Sequence, residues 1–246
     1  MNNGDLYNLA LYIGNKENFG GYLNANQFQA QLEIANIVLL KENLGITNDY
    51  NFGAPVSRRQ KGQNTILDDT TNIFKKSAAV AFTSGVGALP NDYFKYDILR
   101  QTTTGKKIDI LSSPEVAERN SSYIDVPSTN FPVAEIIGEN INVYPTTILS
   151  ANLVYYRYPV TPVFDYYVDV SGELIYLENG EEHALTAGEV DSSGNTSGTF
   201  TSTSVELEWG DSEKIDITWL IIKNMGINLS RQDIVGIANK IQKEGD

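Results

Sequence analysis

Cysteine is absent from the 246 residues, and histidine occurs once, as His183. The first absence excludes a disulfide framework, a thiolate nucleophile and a zinc-thiolate centre. The second excludes a multi-histidine metal centre. It leaves a Ser-His-Asp triad one candidate base, in the acidic run Glu181-Glu182-His183. Positive charge is scarce as well: 18 Lys and Arg stand against 31 Asp and Glu, a net charge of −13. Binding nucleic acid by neutralising phosphates needs a basic face, so that class is disfavoured. Long apolar runs are missing. Runs such as Ile37 to Leu40 are far short of the roughly 20 residues that span a bilayer. The opening MNNGDLYNLA has no basic region followed by an apolar one, so no secretory signal is expected. Hydrophobic residues still make up 41%, enough for one large core or two modest ones.

The motifs that carry common chemistries are also absent. No G-x-S-x-G elbow occurs, and Gly85-Val-Gly87 is not followed by the Lys and Ser/Thr of a phosphate loop. Asp191-Ser-Ser-Gly-Asn195 lacks the full calcium-loop pattern and would hold an ion only weakly. Paired carboxylates suited to glycoside hydrolysis cannot be picked out among 31 acids. No catalytic residue, cofactor or metal is expected, and the chain reads as a non-enzyme.

The hydropathy pattern predicts an α+β fold with N-terminal helices, a central antiparallel β region and a C-terminal helix pair. Asp5 reads as the cap of a first helix bearing Leu6, Leu9 and Ile13. Asn24 with Gln27 forms a capping box for a second, about 25–44, with an apolar stripe of Phe28, Leu32, Ala35 and Leu39. Residues 45–65 read as an extended arm carrying the one tight basic cluster, Arg58, Arg59 and Lys61. A short helix is expected near 66–75. Strands are expected at 80–83, 94–102, 108–111, 133–137, 141–144 and 148–158, with a helix at 113–120 capped by Ser113. A hairpin across Ser171-Gly172 should join 166–170 to 173–177, and 199–209 should return as a strand. Asp211 and Ser230 read as caps of two final helices, the first presenting Ile215, Trp219 and Ile222, with Leu220 and Ile221 widening that face, and closing at Gly226. The expected regions are 1–78, helical with the arm at 45–65; 79–210, β-rich with a flexible insertion at 178–203; and 211–246, the helix pair.

Fourteen tyrosines outnumber nine phenylalanines and two tryptophans. Tyr155, Tyr156, Tyr158, Tyr166, Tyr167 and Tyr176 crowd the β region. Neighbours on a strand face opposite ways, so they pack either within the subunit or against another one.

Several blocks resemble, in order, small virion structural proteins of tailed phages of Bacteroidota, including crAss-like phages. They are YIGNKENFGGYLNANQFQAQLEIANIVLL (12–40), LPNDYFKY (89–96), 115–136 with its EVAERNSS and VPSTNFPVAEI, INVYPTTILSANLVYYRYPVTPVFDY (141–166), and 205–229 with VELEW and IDITWLIIKNMGINL. The insertion at 178–203 departs from that pattern, where only a short turn belongs. The resemblance implies a head-to-tail connector ring or adaptor protein at the neck. It would bridge the portal protein and the tail or other ring proteins, and form part of the DNA channel. Such a chain would make a homo-oligomeric ring, a dodecamer of about twelve copies, through a heterologous interface. Its acidic wall would let genomic DNA pass without specific binding. It would have no membrane partner and would assemble in the host cytoplasm. The residues expected at partner interfaces are Arg58, Arg59, Lys61, Tyr155, Tyr156, Arg157, Trp209 and Trp219. Other readings are a tail terminator or minor capsid protein, a carboxylate-based glycan hydrolase, and an acidic DNA mimic.

Overall fold

The computed structural model describes residues 1–15, 23–44 and 70–228. The fold is α+β, with helices near the N-terminus, β-sheets in the centre and a helix towards the C-terminus. The chain divides into two compact units, and they do not follow chain order. One comprises residues 1–73 and 159–246, the other Phe74–Tyr158. Three consecutive regions were expected, because the hydropathy period changes near 79 and 211. The compact units instead follow hydrogen bonding: Lys75 at the start of the second unit is in register with Tyr156 near its end. That unit is therefore an excursion out of the first.

In the first unit, helices α1 (Asn3–Asn15) and α2 (Ala25–Asn43) supply much of the core. The Asn24–Gln27 capping box forms as expected. Helix α1 starts earlier than expected, with Asn2 and not Asp5 as its cap. Asn2 Oδ1 accepts from Asp5 N at 2.8 Å, and Asp5 Oδ2 accepts from Asn2 N at 2.9 Å. Phe28, Leu32, Ala35 and Leu39 are all buried, as the stripe on α2 requires. Tyr7, Phe28 and Phe164 meet with ring centroids 5.1–5.3 Å apart, and Tyr176 stacks on Phe164. Offset and edge contacts of this kind suit the ring quadrupole.

The second unit is a seven-stranded sheet. Its strands are β1 (Lys75–Ala81), β2 (Val86–Ala88), β3 (Tyr93–Gln101), β4 (Lys107–Ile110), β5 (Val133–Ile137), β6 (Asn140–Tyr144) and β7 (Ser150–Arg157). Their order is β1-β7-β3-β4-β5-β6-β2. The two end strands are consecutive in the chain and joined by a tight turn. Ser84 and Gly85 both have positive φ, the geometry of a type I′ hairpin, and Thr83 and Val86 exchange both backbone hydrogen bonds. The sheet thus curls back on itself around Val80, Phe82, Leu99, Ile108, Ile141, Val143 and Leu153. The β region is not wholly antiparallel. Strands β4 and β5 pair in parallel, joined by a crossover through helix α3 (Ser113–Ser121). Ser112, one residue before the expected cap, caps α3 in a box with Glu115.

Residues 159–228 return to the first unit. The expected hairpin forms as β8 (Tyr166–Val168) and β9 (Leu174–Tyr176). The stretch expected to be a flexible insertion instead carries β10 (Glu182–Leu185), β11 (Val190–Asp191) and β12 (Gly198–Thr201). The physical reason lies in its short polar side chains. The Asp191 carboxylate accepts from Ser193 N, Asn195 N and Asn195 Nδ2 at 2.8–2.9 Å, so the polarity taken for looseness closes a turn. Helix α4 (Asp211–Asn228) runs past Gly226, the expected stop. Of its expected face Leu220, Ile221 and Ile222 are buried and Trp219 is half-buried, while Ile215 is exposed and Ile217 is buried in its place. The 45–65 arm, most of the 66–75 helix and the Ser230 helix lie outside the described residues. The described end of that short helix is a 3-10 turn, Asn72–Phe74, leading into β1.

Candidate interaction surface

Between α3 and β5 the chain makes a loop, residues 122–132, with an unusual division of labour. It is anchored at Pro127, in its middle, and at Pro132, at its end, both buried. Its backbone is tied by short polar side chains. Ser122 Oγ accepts from Ile124 N at 3.2 Å and Asp125 N at 3.1 Å. Ser128 and Phe131 bond each other's backbone, and Ser128 Oγ accepts from Phe131 N at 3.2 Å. On this frame the apolar side chains point to solvent. Tyr123 is fully exposed, Ile124 is 93% exposed, Phe131 75% and Val126 53%. A scattered exposed apolar residue needs no explanation, but four on one hydrogen-bonded loop form a patch.

An open hollow lies beside this loop, lined by Leu111, Glu115, Glu118, Arg119, Ser122 and Asp125. Three of these carry negative charge and one positive. The Glu115 carboxyl is held below its usual range by hydrogen bonds from the Ser112 hydroxyl and backbone N–H, with help from nearby Arg119. It therefore stays charged at the helix N-terminus, where a carboxylate also suits the dipole.

The residues expected at interfaces are dispersed. Tyr155, Tyr156 and Trp209 are 3%, 6% and 3% exposed, so each is spent inside its own unit. Tyr155 lies in the core of the sheet on β7, a strand flanked on both edges. Its hydroxyl donates to Asp92 Oδ1 at 2.7 Å, and burial together with that carboxylate pushes its pKa up to about 12. Asp92 is held low by the same hydroxyl and, more strongly, by Lys76 at 2.7 Å. The Lys75 ammonium lies 5.2 Å from the Tyr156 ring centroid. Arg157 is half-buried with its guanidinium over Phe74. Trp209 Nε1 donates to buried Asn36 at 2.7 Å. Trp219 is half-buried on α4. Arg58, Arg59 and Lys61 lie outside the described residues. The exposed loop was missed in the sequence. Its signal was available: Tyr123, Ile124 and Val126 lie between the turn-forming Ser122 and Ser128, and Phe131 follows three residues on, with no helix or strand period to bury them.

His183 is not loose on the surface. Its Nε2 is 2.9 Å from Glu189 Oε2, and its ring stacks on Tyr167 with centroids 3.7 Å apart. Glu189 also accepts from Thr186 N at 2.7 Å, and these bonds hold its carboxyl below the usual range. The pair ties β10 to the turn before β11. The Asp191 turn fills its carboxylate with its own loop's donors, and among the described residues no group of three His, Asp or Glu could hold a metal ion. Among the described residues no helix is long and apolar enough to cross a membrane.

No protein-family model matches the chain, and no curated protein matches it.

Proposed function

We propose that the chain is a structural subunit of a tailed-phage virion, a connector ring or adaptor at the neck between portal and tail. It would work through shape, with no bond-making of its own. The observation that carries this reading is the 122–132 loop, whose frame is fixed by hydrogen bonds while Tyr123, Ile124 and Phe131 stand in solvent. A pre-ordered apolar projection loses little conformational entropy on docking, which is what a contact in an assembly requires. Two further features support it. The ordered sequence blocks resemble virion structural proteins, and one of them, 115–136, contains this loop. The net charge of −13 suits a channel wall that repels a DNA backbone over about a Debye length, ~8 Å.

The test is to locate the chain in purified particles by antibody labelling and electron microscopy. Label confined to the portal vertex is the expected outcome. Label spread over the shell would replace the connector with a minor capsid role, and absence from particles would end the proposal. Turnover of cell-wall or capsule glycans by the purified chain, lost on carboxylate substitution, would overturn the non-enzymatic reading.

A further inference from the structure

The apolar loop borders the acidic hollow, to which it contributes Ser122 and Asp125, and the sequence holds a segment that matches both. Tyr123, Ile124, Val126 and Phe131 stand exposed, and the hollow beside them carries Glu115, Glu118 and Asp125 against one cation, Arg119, so it favours positive charge. Basic residues are few in this chain, and its tight cluster is Arg58-Arg59 with Lys61. Directly before that cluster stand Tyr50, Phe52 and Val56. The order of properties, aromatic and aliphatic and then basic, is complementary to the order on the surface, an apolar projection and then an acidic hollow.

We propose that this surface docks a second copy of the chain through that copy's residues 50–61. The contact is heterologous, since the loop of one subunit meets a different segment of the next. Contacts of that type close rings when the rotation closes. The alternatives fit the chemistry less well. Two such loops meeting face to face would bring like charges together at Glu118 and Asp125, and an anionic membrane would be repelled by the same carboxylates. The inference rests on the assembly reading above and names its interface. Its failure would leave the particle location untouched.

The lack of native cysteine makes the test clean. Chains carrying Ile124→Cys are mixed with chains carrying Val56→Cys and oxidised mildly, so any disulfide must join introduced residues. Mixed dimers are expected about fivefold above a control pairing of Val56→Cys with Leu149→Cys, an exposed position elsewhere on the same unit. Glu118→Lys with Asp125→Lys should bring the yield back to control, and Arg58→Glu with Arg59→Glu in the partner chain should restore it. A yield at control level, a dominant Ile124→Cys homodimer, or a disulfide closed within one chain when Val56→Cys and Ile124→Cys are placed on the same chain would each overturn the proposal.

Discussion

At Trp209 the indole N–H meets the Asn36 side chain, itself 2% exposed, and Asn36 Nδ2 in turn donates to Val160 O at 3.3 Å. Trp209→Phe keeps most of the ring and removes the donor, leaving a buried carbonyl without it. The expected loss is roughly 1–3 kcal/mol, measured as a lowered urea midpoint. Tyr155 supplies a pH dependence whose sign is fixed. Its folded pKa is raised from 10.0 to about 12, so the neutral phenol is favoured in the folded state. The stabilisation is complete below pH 10.0 and is lost as pH rises through about 12. Unfolding measured over that window should show a steeper loss for the native chain than for Tyr155→Phe; equal slopes would reject this account. Carboxylates behave in the opposite sense. Asp92 is held low by Lys76 and Tyr155, so its contribution is present above the ordinary carboxylate range and fades as pH falls through its depressed value.

For single elements, the decisive geometry is the hairpin that joins the ends of the seven-stranded sheet. Gly87 on β2 lies so close to β1 that an added Cβ would fall 2.6 Å from Val80 Cγ1, 2.8 Å from Phe82 Cδ1 and 2.9 Å from Ala81 O. The last of these is backbone and cannot swing away. Gly87→Ala should therefore cost about 1–3 kcal/mol, read in thermal or denaturant unfolding. Ser84 sits in the same hairpin at φ 53, which a serine adopts only with strain. Ser84→Asn places a residue that tolerates this conformation there, and should raise stability by about 0.5 kcal/mol. Should Ser84→Asn destabilise instead, the type I′ assignment is wrong.

On the scale of the whole molecule, Phe74–Tyr158 has its own sheet and its own core, and its ends are paired through Lys75 and Tyr156. Expressed alone it should fold, with a β-type circular dichroism spectrum and a single cooperative melt. A disordered fragment would show that the excursion is not an independent unit. The chain order conceals this arrangement, since a change of hydropathy period is local and the pairing that closes an excursion is not. Much else was legible. The capping box at Asn24, the buried stripe of α2, five of the seven strands of the large sheet and the Ser171-Gly172 hairpin all follow from local pattern, whereas β1 shares only Val80 and Ala81 with the strand expected at 80–83. β2 was not legible because it spans three residues around a glycine, too short to show a period.

Composition alone ruled out disulfides, zinc-thiolate centres and multi-histidine sites, because an absent side chain cannot be supplied by folding. Periodicity settled helix and strand over most of the chain, because burial of one face repeats every 3.6 or every two residues. Tertiary structure alone decided which aromatics are spent and which are offered. Tyr155 and Tyr123 look equally suited to an interface as sequence; one packs in the core of the sheet and the other stands fully in solvent. Exposure depends on what the rest of the chain brings alongside, and no local pattern carries that information.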